Sequence, residues 1–247
     1  MACVAVGLVA AVVPASASAA GKQLWTSDAL SSVANDVAGT TDMTVLSEDD
    51  PTEWAGFFPP GTDSENVLGF VALEYPPLYH EIFLDPYVYS TFGSWFSTGT
   101  PQGNEYAFSI AALALIHESF HWRLLSGDES TVNACALKYF PYYIAKDFGV
   151  PETVTQTTTG VVPVTTTKSV PVVHVKVVKR RVKVHGKWIV RTKRTTFTTY
   201  TTETTTTYEP GPVTSTVVNP LFQTLIADAA SFYTQQPPPY NAGTCTV

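Results

Sequence analysis

The chain has 247 residues, enough for one domain of good size together with an extension. Apolar residues make up 45% of it and charged residues only 14%, below the roughly 25% of an average globular chain, so the composition permits a hydrophobic core. Beyond the N-terminus, no segment has the roughly 20 apolar residues of a membrane span, which excludes a protein with several transmembrane helices.

Residues 1–19 have the layout of a secretory signal peptide. A run of small and apolar residues leads to two overlapping Ala-x-Ala triplets, 15–17 and 17–19, which are typical of a cleavage site. A basic segment before the run is missing. The alternative is an uncleaved anchor, but the run is short for a span of about 20 residues. We therefore predict cleavage near Ala19, secretion, and no stable membrane span in the mature chain.

Between residues 22 and 66 the sequence predicts one helix followed by loops. Ser27 or Asp28 is the expected N-cap of this helix, and Gly39 its stop. Two short strands are predicted next, at about 67–74 and 79–84, because these stretches are rich in apolar, β-branched and aromatic residues. Pro86 is expected to end the second strand.

Two consecutive helices are predicted in the middle of the chain. Residues 104–127 lack internal proline and glycine and are expected to stop at Gly127. Asp128 can cap the second helix, which is predicted to run to Gly149 with a kink or interruption at Pro141. A last helix is predicted at about 219–234, ended by the prolines at 237–239.

Residues 151–215 differ from the rest in composition and charge. They are rich in threonine and valine and carry a net charge of +7, whereas the remainder of the chain carries −14. His185 and Gly186 lie between two β-like runs and fit a two-residue hairpin turn. We predict a long basic β-hairpin with Thr-rich extended flanks, and for the flanks disorder is an equal alternative. The expected organisation is a signal peptide (1–19), a domain in two parts (20–150 and 216–247), and this insertion.

The residues with the clearest chemistry lie in the first of the two central helices. His117, Glu118 and His121 form an H-E-x-x-H sequence, in which the histidines are four residues apart and project from one helix face. Both imidazoles can therefore bind one tetrahedral zinc ion (Zn²⁺). Glu118 can reach a water molecule on the metal and act as general base.

A catalytic zinc site needs a third protein ligand and an open position. Glu129, eight residues after His121 at the start of the next helix, is the preferred candidate, although an acid at a helix N-terminus also suits the helix dipole. Asp128 is the competing ligand. Asn133 lies one turn after Glu129 and could hold the Glu129 side chain in place without binding the metal itself.

The sequence "HESFH" followed by "ESTVNACAL" resembles the gluzincin branch of the zincin metallopeptidases. It also resembles small secreted bacterial zincin-like proteins, which end in a Pro-Tyr tail with a last cysteine, as "PPPYNAGTC" does here. The resemblance implies that His117, His121 and Glu129 bind zinc and that Glu118 is the base. It also implies a substrate-facing edge strand before the helix, for which "HEIFLD" (80–85) is the candidate.

Removal of the signal peptide would leave two cysteines, Cys135 and Cys245. In an oxidising compartment two cysteines favour one disulfide over two free thiols. This bond would hold the C-terminal helix against the metal-binding helix pair.

These observations predict an α+β fold: a mainly helical, minimal zincin-like domain with a short sheet, plus the Thr/Val-rich hairpin. The predicted function is that of a secreted zinc-dependent hydrolase, a metallopeptidase acting on a protein or peptide. The alternative is a non-catalytic extracellular surface-binding protein that uses the basic arm. Secretion favours an anionic cell-wall polymer or an anionic membrane surface as partner of the arm and disfavours nucleic acid.

Overall fold

The chain is an α+β protein, which confirms the predicted fold class. The computed structural model describes residues 25–47, 51–58, 60–64, 67–71, 73, 80–101, 103–238 and 240–246, so the predicted signal peptide lies outside the described residues. The chain divides into two compact units, one formed by residues 1–154 with 218–247 and the other by residues 155–217. The predicted limits of the insertion, 151 and 215, lie within four residues of this division.

Four short strands form the sheet of the first unit: β1 (Trp25–Thr26), β2 (Thr44–Ser47), β3 (Gly69–Val71) and β4 (Glu81–Leu84). Their order is β1-β2-β4-β3, with β2 parallel to β4 and the other two pairs antiparallel. The strands β1 and β2 fall in a region for which only a helix and loops were predicted. They were missed because two to four residues are too few to show an alternating pattern.

The substrate-facing strand expected at 80–85 is not at the edge of the sheet. β4 pairs with β2 on one side and with β3 on the other, so β1 and β3 are the edge strands among the described strands. The prediction was wrong because short strands do not show their pairing order in the sequence. β4 is buried from Ile82 to Leu84, as expected of an interior strand.

Both faces of the sheet are covered by apolar side chains. On one face Val45, Ile82 and Leu84 join the main core between the sheet and the helices. On the other face Phe70 and Phe83 stack with their ring centroids 4.9 Å apart, in a smaller cluster that also contains Trp54. Alternate residues of a strand therefore supply the two cores, because successive side chains point to opposite faces.

Two of the shorter helices follow ordinary capping rules. Helix α1 (Asp28–Ala38) begins at Ser27, whose hydroxyl accepts from the Leu30 N–H, and ends at Gly39 in the left-handed conformation, both as predicted. Helices α2 (Pro51–Gly56), α3 (Pro86–Thr91) and α4 (Gly93–Thr98) were not predicted. Pro86 ends β4 and at the same time begins α3, with Asp85 as its N-cap.

Helix α5 (Glu105–Leu124) runs through the centre of the first unit. It contacts α1, α3, β3 and β4 and packs along α6 and α7, and almost every residue from Phe108 to His121 is buried. The helix ends before the expected Gly127. Leu125 adopts the left-handed conformation at its C-terminus, with φ of 45°, where glycine is usual.

Helix α6 (Glu129–Lys146) continues through Pro141 without interruption and ends three residues before Gly149. The predicted break is absent because the turns around the proline are anchored in the core. Phe140, Tyr143 and Ile144 are all buried, and this packing outweighs the loss of one backbone hydrogen bond.

The C-terminal part of the chain packs against the central helices. Helix α7 (Pro220–Gln235) contacts α5 and α6, and the buried Ser109 hydroxyl donates a 2.7 Å hydrogen bond to the Leu225 carbonyl. Cys135 on α6 and Cys245 in the tail form a disulfide across 110 residues. The tail is thereby fixed to the helix that carries Glu129.

The second unit is a β-hairpin of strands β5 (Thr153–Val184) and β6 (Lys187–Val218). The turn residues His185 and Gly186 both have positive φ, 50° and 80°, as a two-residue hairpin turn of type I′ requires. The Thr-rich flanks belong to the paired strands and are neither linkers nor disordered. Most side chains of this hairpin are exposed.

Across the residues that the structure describes, no helix has both the length and the apolar character needed to cross a membrane.

Candidate metal centre

The candidate site lies where the last turns of α5 meet the first turn of α6. His117 and His121 are four residues apart on α5, and both side chains are 1% exposed. Glu129 begins α6 and its side chain is 14% exposed. The short connection 125–128 turns the chain back, so that the first residue of α6 faces the two histidines.

Three potential ligand atoms converge at this point. The Nε2 atoms of His117 and His121 are 2.9 Å apart, and the Glu129 carboxylate oxygens lie 3.1 Å from the first and 3.4 Å from the second. Ligand atoms 2.0–2.1 Å from a tetrahedral zinc ion would be about 3.3 Å from one another. The three side chains therefore have the chemistry and the spacing of a His₂Glu zinc site.

A backbone carbonyl orients one of the histidines. His121 Nδ1 lies 2.7 Å from the Ser126 carbonyl oxygen, so Nδ1 carries the proton and donates it. Nε2 then turns toward the other two ligands, as in metal sites where a hydrogen bond fixes the histidine tautomer. The left-handed Leu125 turns the chain so that Ser126 comes within reach of the ring.

The structure separates the two acids that compete as third ligand. Asp128 is the N-cap of α6: its carboxylate accepts from the Ser130 N–H and from the hydroxyls of Ser130 and Thr131. These hydrogen bonds lower the pKa of Asp128, with the Thr131 hydroxyl contributing most. Glu129 is the acid that joins the two histidines, in the one cluster of metal-binding residue types found among the described residues.

Asn133 is buried one turn after Glu129, on the same side of α6. Burial lowers the pKa of His117, whereas the Glu129 carboxylate and the Asn133 side chain both act to raise it. Asn133 therefore lies where it can support His117, which shares the candidate site with Glu129.

Glu118 is also buried, with 1% exposure, and its Oε1 has no hydrogen-bond partner among the described residues. Burial raises the pKa of Glu118 to about 8, against an opposing attraction from His121. A carboxyl group with a pKa near neutrality can both accept and return a proton, as a general base and acid must.

His121 and Glu129 form a mostly buried ion pair. Burial alone would raise the pKa of Glu129, but hydrogen bonds from both histidines lower it to about 2. Burial alone would lower the pKa of His121, but Glu129 and Glu118 raise it to about 9. A metal ion at this point would replace the proton on His121, because the ligand nitrogen must be deprotonated.

Two glycines shape the site, and neither was recognised in the sequence. A Cβ on Gly69, in β3, would lie 3.3 Å from Glu118 Cγ and 3.0 Å from the Phe83 carbonyl oxygen, so this strand can approach Glu118 only without a side chain. A Cβ on Gly243, in the tail, would overlap the Ser130 carbonyl group, directly after Glu129. Both requirements depend on contacts between distant parts of the chain, which a single sequence does not show.

Comparisons of the chain with protein-family models, with curated proteins and with solved structures found no match. The geometry of the site is therefore the basis of the functional argument.

Proposed function

We propose that this protein is a secreted zinc-dependent hydrolase that cleaves peptide bonds, with the helix pair of a gluzincin-type metallopeptidase. The observation that supports it most directly is the convergence of His117, His121 and Glu129 within ligand distance of one another, with the Glu118 carboxylate beside them. A zinc ion held by these three residues would lower the pKa of a water molecule and polarise the carbonyl group of the substrate.

The protein side chains have separate tasks in this reaction. His117, His121 and Glu129 hold the metal, and the Ser126 carbonyl keeps His121 in the binding tautomer. Glu118 accepts a proton at its carboxylate from the attacking water and returns it to the leaving amine. Burial helps this exchange, because a desolvated carboxylate binds a proton more readily than one in water.

The free edge of β3 supports a peptide as the substrate. Among the described strands β3 pairs with β4 alone, which leaves its other edge open for an extended chain. Gly69 in this strand is packed against Glu118, so a peptide lying along the edge would pass close to the proposed base. Backbone hydrogen bonds of this kind bind extended peptides with little regard to their sequence.

A neighbouring cavity favours an apolar side chain in the substrate. It has a volume of about 230 Å³ and is lined by Leu68, Ile110, Ala111 and Phe232, among others. Leu68 directly precedes the edge strand, and Ala111 is two helical turns, about 10 Å, before Glu118 on α5. We expect cleavage of peptides with a hydrophobic residue near the scissile bond.

Secretion is supported by two independent features. The signal-like sequence of residues 1–19 precedes the domain, and Cys135 and Cys245 are joined by a disulfide. Structural disulfides form and persist mainly in oxidising compartments.

The test is the activity of Glu118→Gln beside that of the wild type, on a library of quenched fluorescent peptides. We expect Glu118→Gln to lose about a hundredfold or more in kcat while keeping its zinc, because the amide cannot accept the proton. Asp128→Asn is the matched control, since it alters a neighbouring acid outside the ligand set. Peptide cleavage that is unchanged in Glu118→Gln would refute the mechanism. Wild-type protein that holds zinc but cleaves no peptide would refute the peptidase assignment.

A further inference from the structure

The distal part of the hairpin, residues 176–194, carries a dense positive charge that the proposed hydrolase does not use. No acidic residue occurs between 153 and 202. Within the basic tip, as we name residues 176–194, the nine cationic side chains are all exposed: Lys176, Lys179, Arg180, Arg181, Lys183, Lys187, Arg191, Lys193 and Arg194. None of them forms an ion pair with a carboxylate within the described part of the chain.

One facing pair of these cations weakens the hairpin itself. The ring of His174 stacks on that of Phe197, and the hydroxyls of Thr165 and Thr206 are 3.4 Å apart, which sets the register of the two strands. In this register Arg180 lies directly opposite Arg191. Like charges at facing positions destabilise a strand pair, whereas threonine, common in the rest of the hairpin, would not. The charge of the tip therefore requires an explanation other than the stability of the hairpin.

The cations are divided almost equally between the two faces of the ribbon. Alternate residues of a strand point to opposite faces, and facing residues share a face. By this rule five cations lie on the face that contains Arg180 and four on the face that contains Arg181. A flat anionic surface such as a lipid bilayer can contact only one face at a time. A flexible linear polymer can follow both faces.

A second copy of this chain, added at the edge of the hairpin, fits less well. All four prolines of the two strands, Pro163, Pro171, Pro210 and Pro212, lie at positions that do not exchange hydrogen bonds between the strands, because the register alternates from the turn. At these positions an N–H would point outward, and proline removes it. Proline and lysine are the residues that protect exposed strand edges from pairing with another chain.

The side chains between the cations also indicate the kind of polymer. They are mostly valine, such as Val177, Val178 and Val190, and Trp188 is the one aromatic residue in the tip. Binding of single-stranded nucleic acid relies on several aromatic rings on which successive bases stack. The tip instead offers closely spaced charges without such rings.

From these observations we infer that the basic tip binds a linear polyanion with a phosphate group in each repeat and no stacked bases. The interaction is electrostatic and uses both faces of the ribbon. It would hold the secreted protein on a phosphate-rich polymer outside the cell, and it does not depend on the metal centre.

The experiment measures binding of the full chain to long-chain inorganic polyphosphate by calorimetric titration, from about 50 to 200 mM salt. In the test variant Lys179, Arg180, Arg181 and Lys183 are all replaced by threonine, and in the matched control Lys and Arg are exchanged at the same positions. We expect the wild type and the control to bind alike. The threonine variant should lose at least about tenfold in affinity, and the slope of log K against log salt should fall by about 3.

Three outcomes would overturn the inference. The first is no binding of polyphosphate by the wild type at the lowest salt, and the second is equal binding by the threonine variant. The third is tighter binding, per phosphate, to vesicles with anionic lipid or to single-stranded DNA, which would identify a membrane or nucleic acid as the partner. Unchanged circular dichroism and zinc content of the variants show that the two units remain folded.

Discussion

Gly243→Ala tests whether the C-terminal tail positions Glu129, the proposed third metal ligand. In the structure the tail crosses the first turn of α6 so closely that a Cβ at residue 243 would overlap the carbonyl group of Ser130, the residue after Glu129. The added methyl group cannot be accommodated by a rotamer change, because the atom it meets belongs to the backbone. Either the tail or the first turn of α6 must move.

The expected cost follows from this geometry. Overpacking of a well-packed site costs about 1–3 kcal/mol, and the disulfide from Cys245 to Cys135 prevents the tail from simply moving away. We expect Gly243→Ala to lower the free energy of unfolding by about 2 kcal/mol. Zinc affinity should fall by about tenfold or more, because displacement of the Ser130 backbone displaces Glu129 with it.

The assay is urea unfolding followed by circular dichroism, together with competitive titration of zinc. Gly93→Ala is the matched control: a Cβ there meets no atom within 4 Å, and residue 93 lies in a helix with ordinary φ. The control should be neutral or slightly stabilising. Equal unfolding free energy and equal zinc affinity for Gly243→Ala and the wild type would refute the role of the tail.

Three further predictions concern stability. Leu125→Gly should stabilise the fold by about 0.5–1 kcal/mol, because Leu125 has a φ of 45° and is 76% exposed. Gly39→Ala, at a φ of 75°, should instead destabilise the fold by about 1 kcal/mol. Thermal unfolding of the two variants should show these opposite signs. Burial, with repulsion from Asp36, raises the pKa of Asp147 from 3.8 to about 6. The contribution of Asp147 to the free energy of unfolding is therefore favourable below about pH 4 and is lost as the pH rises through 6. Asp147→Asn should therefore stabilise the fold at pH 7 by about 1 kcal/mol after allowance for solvent screening, and a gain that persists at pH 3.5 would contradict this. Cys245→Ser should lower the free energy of unfolding in denaturant by about 4 kcal/mol, since the disulfide closes a loop of 110 residues. A reductant should cause a similar loss in the wild type and none in the variant.

The structural features that the sequence predicted best are those that depend on residues close together along the chain. The caps at Ser27, Gly39 and Asp128 and the turn at His185 and Gly186 are local signals, and the structure uses each of them. The i, i+4 spacing of the two histidines is likewise a local signal, and the structure brings both rings together with Glu129.

What the sequence did not show depends on contacts between distant segments. The position of β4 inside the sheet follows from its pairing with both β2 and β3. The continuity of α6 through Pro141 follows from core packing on both sides of the proline. The close approach of Gly243 to Ser130 joins residues more than 100 positions apart. None of these features leaves a periodic or compositional pattern in the chain.

The most direct test of the central claim is the zinc content of the protein, measured by plasma mass spectrometry after purification without added metal or chelator. We expect about one zinc ion per chain in the wild type and in Glu118→Gln, and almost none in His117→Ala, because two remaining ligands do not hold the metal. No zinc in the wild type, with none taken up from dilute zinc, would contradict the account. So would an equal zinc content in His117→Ala.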